Sequence, residues 1–148
     1  MKIIIGSDHA GKEQRLKLIE FLKEKNYEIE DCGTHKEEAN YVTEGIKVAE
    51  NIAMGNGDLG IIICGTGIGI SIAANKVNGI RCAVLANEEM AKYAKMHNDA
   101  NVIALGGRTI DYETNVKIIE QFLAVKFEGG RHKSRILSIQ DYEKSCIC

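Results

Sequence analysis

The sequence contains no proline and no low-complexity or linker-like charge run, so nothing in it reads as a hinge between domains. At 148 residues it fits one domain, residues 1–148, large enough for a real core, with residues from about 127 to 148 as a C-terminal arm. Long apolar runs are missing too. The opening Met1-Lys2-Ile3-Ile4-Ile5-Gly6 is too short for the core of a signal peptide and meets a polar turn, so we expect no export and a cytoplasmic protein. Hydrophobic residues at 45% and charged residues at 27% exclude both disorder and a membrane-spanning chain.

There is no cysteine framework and no excess of positive charge. The five cysteines are scattered, which suits a reducing compartment, and the Cys146-Ile147-Cys148 end has no histidine or second cysteine pair beside it, so it reads as a frayed tail rather than a metal site. A formal net charge of −2 gives no reason to expect nucleic acid. Any anion site must come from local placement of charge.

What is present centres on Leu59 to Lys76, LGIIICGTGIGISIAANK. Gly60 to Ile63 is a short β-branched run that predicts a strand buried on both faces, with Cys64 at its C-terminal end. Gly65, Gly67 and Gly69 lack the Cβ that would bar positive φ or close approach, so the turn can aim successive N–H groups at one point, and a helix from about Ile70 points the same way. An anionic ligand or intermediate belongs there. A cysteine is most often a small buried hydrophobe, but beside a helix start its thiolate is favoured. The turn is not a dinucleotide fingerprint, because Ile70 stands where the third glycine is needed, and it lacks the Gly-Lys-Ser/Thr of a nucleotide loop and the arginine of a cysteine phosphatase loop.

Taken in order, Lys2 to Gly6 predicts the first strand, followed by the polar turn Ser7-Asp8-His9-Ala10-Gly11 and a helix to about Lys25 with Leu18, Ile19, Phe21 and Leu22 on its apolar stripe. Asp8 is either that helix's N-cap or, with His9, a functional group leaving a strand end. Tyr27 to Glu30 predicts a second strand, and Cys32 to Thr43 a long irregular connection whose one large residue is Tyr41. Ile46, Ala49, Ile52 and Ala53 keep helical spacing. After the central strand and glycine turn come a fourth strand, Arg81 to Ala86, a helix capped by Asn87 and ending near Met96, a fifth strand, Asn101 to Gly106, and Gly107-Arg108. Val116, Ile119 and Leu123 carry a helix from about Asp111 to Lys126. His97, at a helix C-terminus, is either a capping histidine or a proton donor. Arg131 and Arg135 lie four apart on one face of a last helical segment reaching about Lys144, a pairing that suggests phosphate or carboxylate recognition.

Strands alternating with helices predict an α/β fold: a Rossmann-like three-layer α/β/α sandwich on a five-stranded parallel sheet in the order 2-1-3-4-5, with a C-terminal helix. The first and third strands then open Asp8, His9 and Cys64 into one crevice. His97 precedes a strand that Arg108 follows, and five residues span about 17 Å. The histidine therefore sits at the wrong edge for its own chain's crevice, and we expect either a structural role or a site completed across a homodimer.

The chain resembles the B-type ribose-5-phosphate isomerases, within the wider family that includes galactose-6-phosphate and allose-6-phosphate isomerases. The likeness runs through GSDHAG at 6–11, ICGTGIGISIAANK at 63–76, HNDAN at 97–101, GGR at 106–108 and EGGRHKSR at 128–135. The resemblance implies a cofactor-free, metal-independent homodimer, or a tetramer of two such dimers, that interconverts an aldose phosphate and a ketose phosphate through an enediolate. It implies Cys64 as base and His97 as ring-opening acid. Asp8, His9, Tyr41, Gly65, Thr66, Gly67, Ile68, Gly69 and Asn98 match sugar-binding positions, and Arg108, Arg131 and Arg135 phosphate-side arginines. Asn40-Tyr41-Val42-Thr43 departs from the family's common Asp-Tyr-Pro-Asp, a change that bears on the length of the sugar. The competing class is a non-catalytic binder of sugar phosphates or nucleotides on the same fold.

Overall fold

A computed structural model describes residues 1–33 and 39–145. The expected frayed tail at Cys146 and Cys148 and the middle of the connection after Cys32 lie outside the described residues. The order is β1 (Lys2–Ser7), α1 (Lys12–Glu24), β2 (Glu28–Asp31), α2 (Tyr41–Ala53), β3 (Leu59–Cys64), α3 (Ile68–Ala74), β4 (Cys82–Val84), α4 (Glu88–Met96), β5 (Val102–Gly106), α5 (Tyr112–Ala124) and α6 (Arg131–Ser145).

All strand pairs are parallel, and alternation along each strand feeds two separate cores. Ile3, Ile5, Ile61, Ile63, Ile103 and Leu105 face α1, α4 and α5. Ile4, Ile62, Val102 and Ala104 face α2 and α3. This is the α/β/α sandwich expected of a sheet buried on both sides.

The strand order is β2-β1-β3-β5-β4, which corrects the sequence expectation at one edge. β5 is buried at every residue and can be covered on both faces, whereas β4 has three half-buried residues and suits an edge. The exchange has a functional consequence: β5 lies directly against β3, with Cys64 opposite Gly106.

Three further local expectations shift. α2 begins at Tyr41, because the Asn40 side chain accepts the Val42 N–H at 2.8 Å and caps the helix, a bond that the proline common there in the family could not donate. α5 buries Asn115, Ile118, Ile119 and Phe122, so Val116 and Leu123 lie at the margin of the core. On α1 the buried stripe includes Arg15, fully enclosed, whose Nη1 donates to Ser7 Oγ at 3.3 Å and whose Nε lies 3.4 Å from Asp31. Among the described residues no helix is long and apolar enough to cross a membrane.

Candidate active site

Three loops meet at the C-terminal edge of the sheet, where β1 and β3 send their helices to opposite faces. The first follows β1. Asp8 is buried and its N–H donates to Ile63 O at 3.2 Å. Its Oδ1 accepts from the N–H groups of Ala10 (2.9 Å) and Gly11 (3.1 Å), so the carboxylate stiffens the turn, while the helix N-cap is Gly11 without a side-chain bond. His9 is exposed, with Nδ1 3.4 Å from Ala39 O.

The second loop follows β3. Gly67 takes φ of +80°, which a side chain would resist, and its N–H donates to Cys64 Sγ at 3.2 Å. The Ile68 N–H donates to Thr66 Oγ1 at 3.2 Å and α3 begins. The Tyr41 ring closes the side of the turn: a Cβ on Gly69 would stand 2.8 Å from Tyr41 Cε2. Cys64 is 5% exposed, with aliphatic residues of the α2 side behind it and the Gly67 N–H ahead of it.

The third loop follows β5. The Gly107 N–H donates to Cys64 O at 2.7 Å and the Arg108 N–H to Gly65 O at 3.0 Å, which sets the exposed Arg108 beside the glycine turn. Behind it stands an amide relay of buried Asn115 and half-buried Gln14. Asn115 Nδ2 donates to Gln14 Oε1 (2.7 Å) and Gly106 O (3.1 Å), and Gln14 Nε2 donates to Gly107 O (3.1 Å) and Ile110 O (2.8 Å). Sequence reasoning missed both amides. The available signal was a polar residue, Asn115, on the i, i+3, i+4, i+7 stripe of α5.

A second cluster forms at the opposite edge of the sheet, beside the start of β4. His97 is the C-cap of α4. Its ring lies 4.7 Å from that of Tyr93 and is stacked at 4.1 Å and 8° on the ring of His132. Glu128 Oε2 is 3.7 Å from Nε2 of each histidine. Arg81 pins the following turn by donating to Asn98 O at 3.0 Å and to Asp99 O at 2.6 Å. His97, Asn98, His132, Arg135 and Ile139 line a cleft of about 440 Å³, with Arg131 exposed at the start of α6. Burial, followed by the charges of His97, Arg131 and Arg135, holds the His132 imidazole below its ordinary value. Cys82, on the same cleft, has its thiol pushed up to about 12 by burial.

The structure therefore brings Asp8, His9, Tyr41, Cys64, the Gly65–Gly69 turn and Arg108 together. It gathers His97, Asn98, Arg131 and Arg135 elsewhere, with the sheet between.

Comparison with known proteins identifies the family. Residues 3–139 match the family model described as Ribose/Galactose Isomerase. Ribose-5-phosphate isomerase B of Escherichia coli is 40% identical over 144 residues, covering 97% of each chain. A structure of Clostridium thermocellum ribose-5-phosphate isomerase B superposes with a TM-score of 0.95 at 49% identity, covering 98% of this chain and 99% of that one. The Mycoplasma genitalium enzyme with bound ribulose-5-phosphate superposes with a TM-score of 0.92 at 40% identity, covering 97% and 96%. The chain belongs to the Ribose/Galactose Isomerase family.

Proposed function

We propose that this protein is an aldose–ketose isomerase that interconverts ribose 5-phosphate and ribulose 5-phosphate, a step of the non-oxidative pentose phosphate pathway, and that it works as a homodimer with shared sites. The observation that carries the reading is the Cys64 thiol taking the Gly67 N–H at 3.2 Å in a crevice flanked by Arg108. The bond fixes the sulfur on the open side of the strand end, placed to take a proton from C2 and return it to C1. The N–H groups of the Gly65–Gly69 turn supply fixed dipoles where the enediolate charge develops. Asp8, His9, Tyr41 and Asn98 orient the sugar, and Arg108, Arg131 and Arg135 hold the phosphate, whose binding energy positions the reacting carbons.

Ring opening needs an acid, and His97 is the candidate. Its own crevice lies across the sheet, so in this reading the histidine and the α6 arginines of one subunit complete the site of the other. The apolar side chains of Ile68, Ile72, Tyr93 and Ile139, each left substantially exposed on the single chain, support such an association.

The test is proton NMR of the protein with ribose 5-phosphate, allose 6-phosphate and galactose 6-phosphate in deuterated water. Deuterium entering C2 or C1 of the ribose compound, with ribulose 5-phosphate formed, is the expected result. Exchange confined to a six-carbon substrate would move the reading to another member of the family, and no exchange with any of them would leave a binder.

A further inference from the structure

Three metal-ligating side chains converge away from the Cys64 crevice. The donor atoms of His97, Glu128 and His132 all lie within 4.8 Å of one another, and both Nε2 atoms are 3.7 Å from the same Glu128 Oε2. We propose that His97, Glu128 and His132 form a site for a divalent transition metal of the zinc class, and that filling it disarms the enzyme by occupying His97.

The donor set fits. Two imidazoles and one carboxylate are the ligands of open, three-protein-ligand zinc sites, with a fourth position left for water. In a tetrahedral sphere with bonds of roughly 2.0–2.1 Å the donors stand roughly 3.4 Å apart. The two 3.7 Å separations therefore need to close by a few tenths of an ångström, and the two histidine donors, within 4.8 Å of each other, by at most about 1.4 Å. The stacked rings must also turn about their Cβ–Cγ bonds, since a metal lies in the plane of each imidazole. Glu128 is free to follow, its side chain 45% exposed. Its backbone is held in place by the N–H donated to Met96 O at 3.0 Å.

The surrounding charge limits the affinity. Arg131 and Arg135 lie on the same helix as His132 and oppose a cation, while the Glu128 carboxylate offsets one of them. The expected behaviour is thus reversible capture rather than a permanent structural ion. Coordination uses the Nε2 lone pair of His97, so that nitrogen can no longer carry a proton to a sugar ring oxygen. This last consequence rests on the isomerase reading; the metal site itself does not.

Cobalt(II) is the probe, added to chelator-treated full-length protein. One ion per chain with tetrahedral visible absorption is expected, retained in His9→Ala, lost in His132→Ala and weakened at least about tenfold in Glu128→Gln, an exposed position whose change leaves folding intact and whose inhibition is read against its own zinc-free rate. Zinc should inhibit isomerisation, a chelator should restore it, and Glu128→Gln should need at least about tenfold more zinc for the same inhibition. A sulfur-to-cobalt charge-transfer band would put the ion on a cysteine and overturn the proposal. So would the absence of visible bands, or bands unchanged in Glu128→Gln. Bands of the expected kind on a protein that isomerises none of the three sugar phosphates would keep the metal site and sink the isomerase reading instead.

Discussion

The backbone N–H of Gly67 donates to Cys64 Sγ across 3.2 Å, and it can do so because Gly67 takes φ of +80°. The turn bends back on the strand that precedes it, so a thiol otherwise lined by aliphatic side chains has a fixed donor on its open side. Cys64→Ala removes the proposed base, and with it the acceptor of the Gly67 N–H, while keeping every glycine of the anion-binding turn. Steady-state kinetics should show kcat lower by about 10²- to 10⁴-fold with KM within about tenfold of wild type. Wild-type turnover by the alanine variant would place the base elsewhere.

If the sites are shared, defects on opposite sides should complement. In a heterodimer of Cys64→Ala and His97→Ala chains, one site carries both defects and the other carries neither. Mixing the two inactive variants under dissociating conditions and then reassociating them should recover roughly a quarter of wild-type activity, as random pairing in a two-fold dimer requires. Activity that stays absent although mixed dimers form would show that base and acid act within one chain.

The glycine turn and Tyr41 define one wall of the crevice together. Gly69→Ala puts a Cβ 2.8 Å from the Tyr41 ring, and the ring, 44% exposed, can swing outward. Thermal stability should change by less than about 1 kcal/mol while KM rises several-fold more than kcat falls. Gly67→Ala instead strains the backbone itself, costing about 1–2 kcal/mol of stability, which chemical denaturation would resolve.

Gly33 is the neighbour that lets Arg15 be buried. A Cβ at that position would stand closest to Arg15 Nη1 and Cζ, and the guanidinium is enclosed beside Ser7 and Asp31. Displacing a buried cation from its partners costs about 3–5 kcal/mol. Urea unfolding of Gly33→Ala should therefore show a loss of that size, and a loss under about 1 kcal/mol would mean that the guanidinium relocates freely.

Cys82 carries a readable pH dependence. Its thiol is raised from 9.0 to about 12 by burial, so the folded state prefers the neutral form. Its contribution to stability is present below pH 9 and is lost as pH rises from there towards the folded value. Melting temperatures of wild type should fall more steeply over that alkaline range than those of Cys82→Ala. In peptide mapping at pH 8, iodoacetamide should leave Cys82 unmodified until the protein is unfolded.

The sequence by itself determined most of the elements and which loops form the candidate site. The β-branched run before Cys64, the glycines after it, the polar turn at Asp8 and the cap at Asn87 act over a few residues, so their consequences could be read without knowing what lay opposite. Tertiary structure decided what depended on partners distant in the chain. It moved β5 inside β4, because a fully buried strand needs cover on both faces, and thereby set Gly107 against Cys64 and Arg108 beside Gly65. It turned Asn115 inward to meet Gln14, and it stacked His97 on His132 across the α6 connection. Spacing along the chain carries no record of such meetings, since each is fixed by which surfaces exclude water together once the sheet has closed.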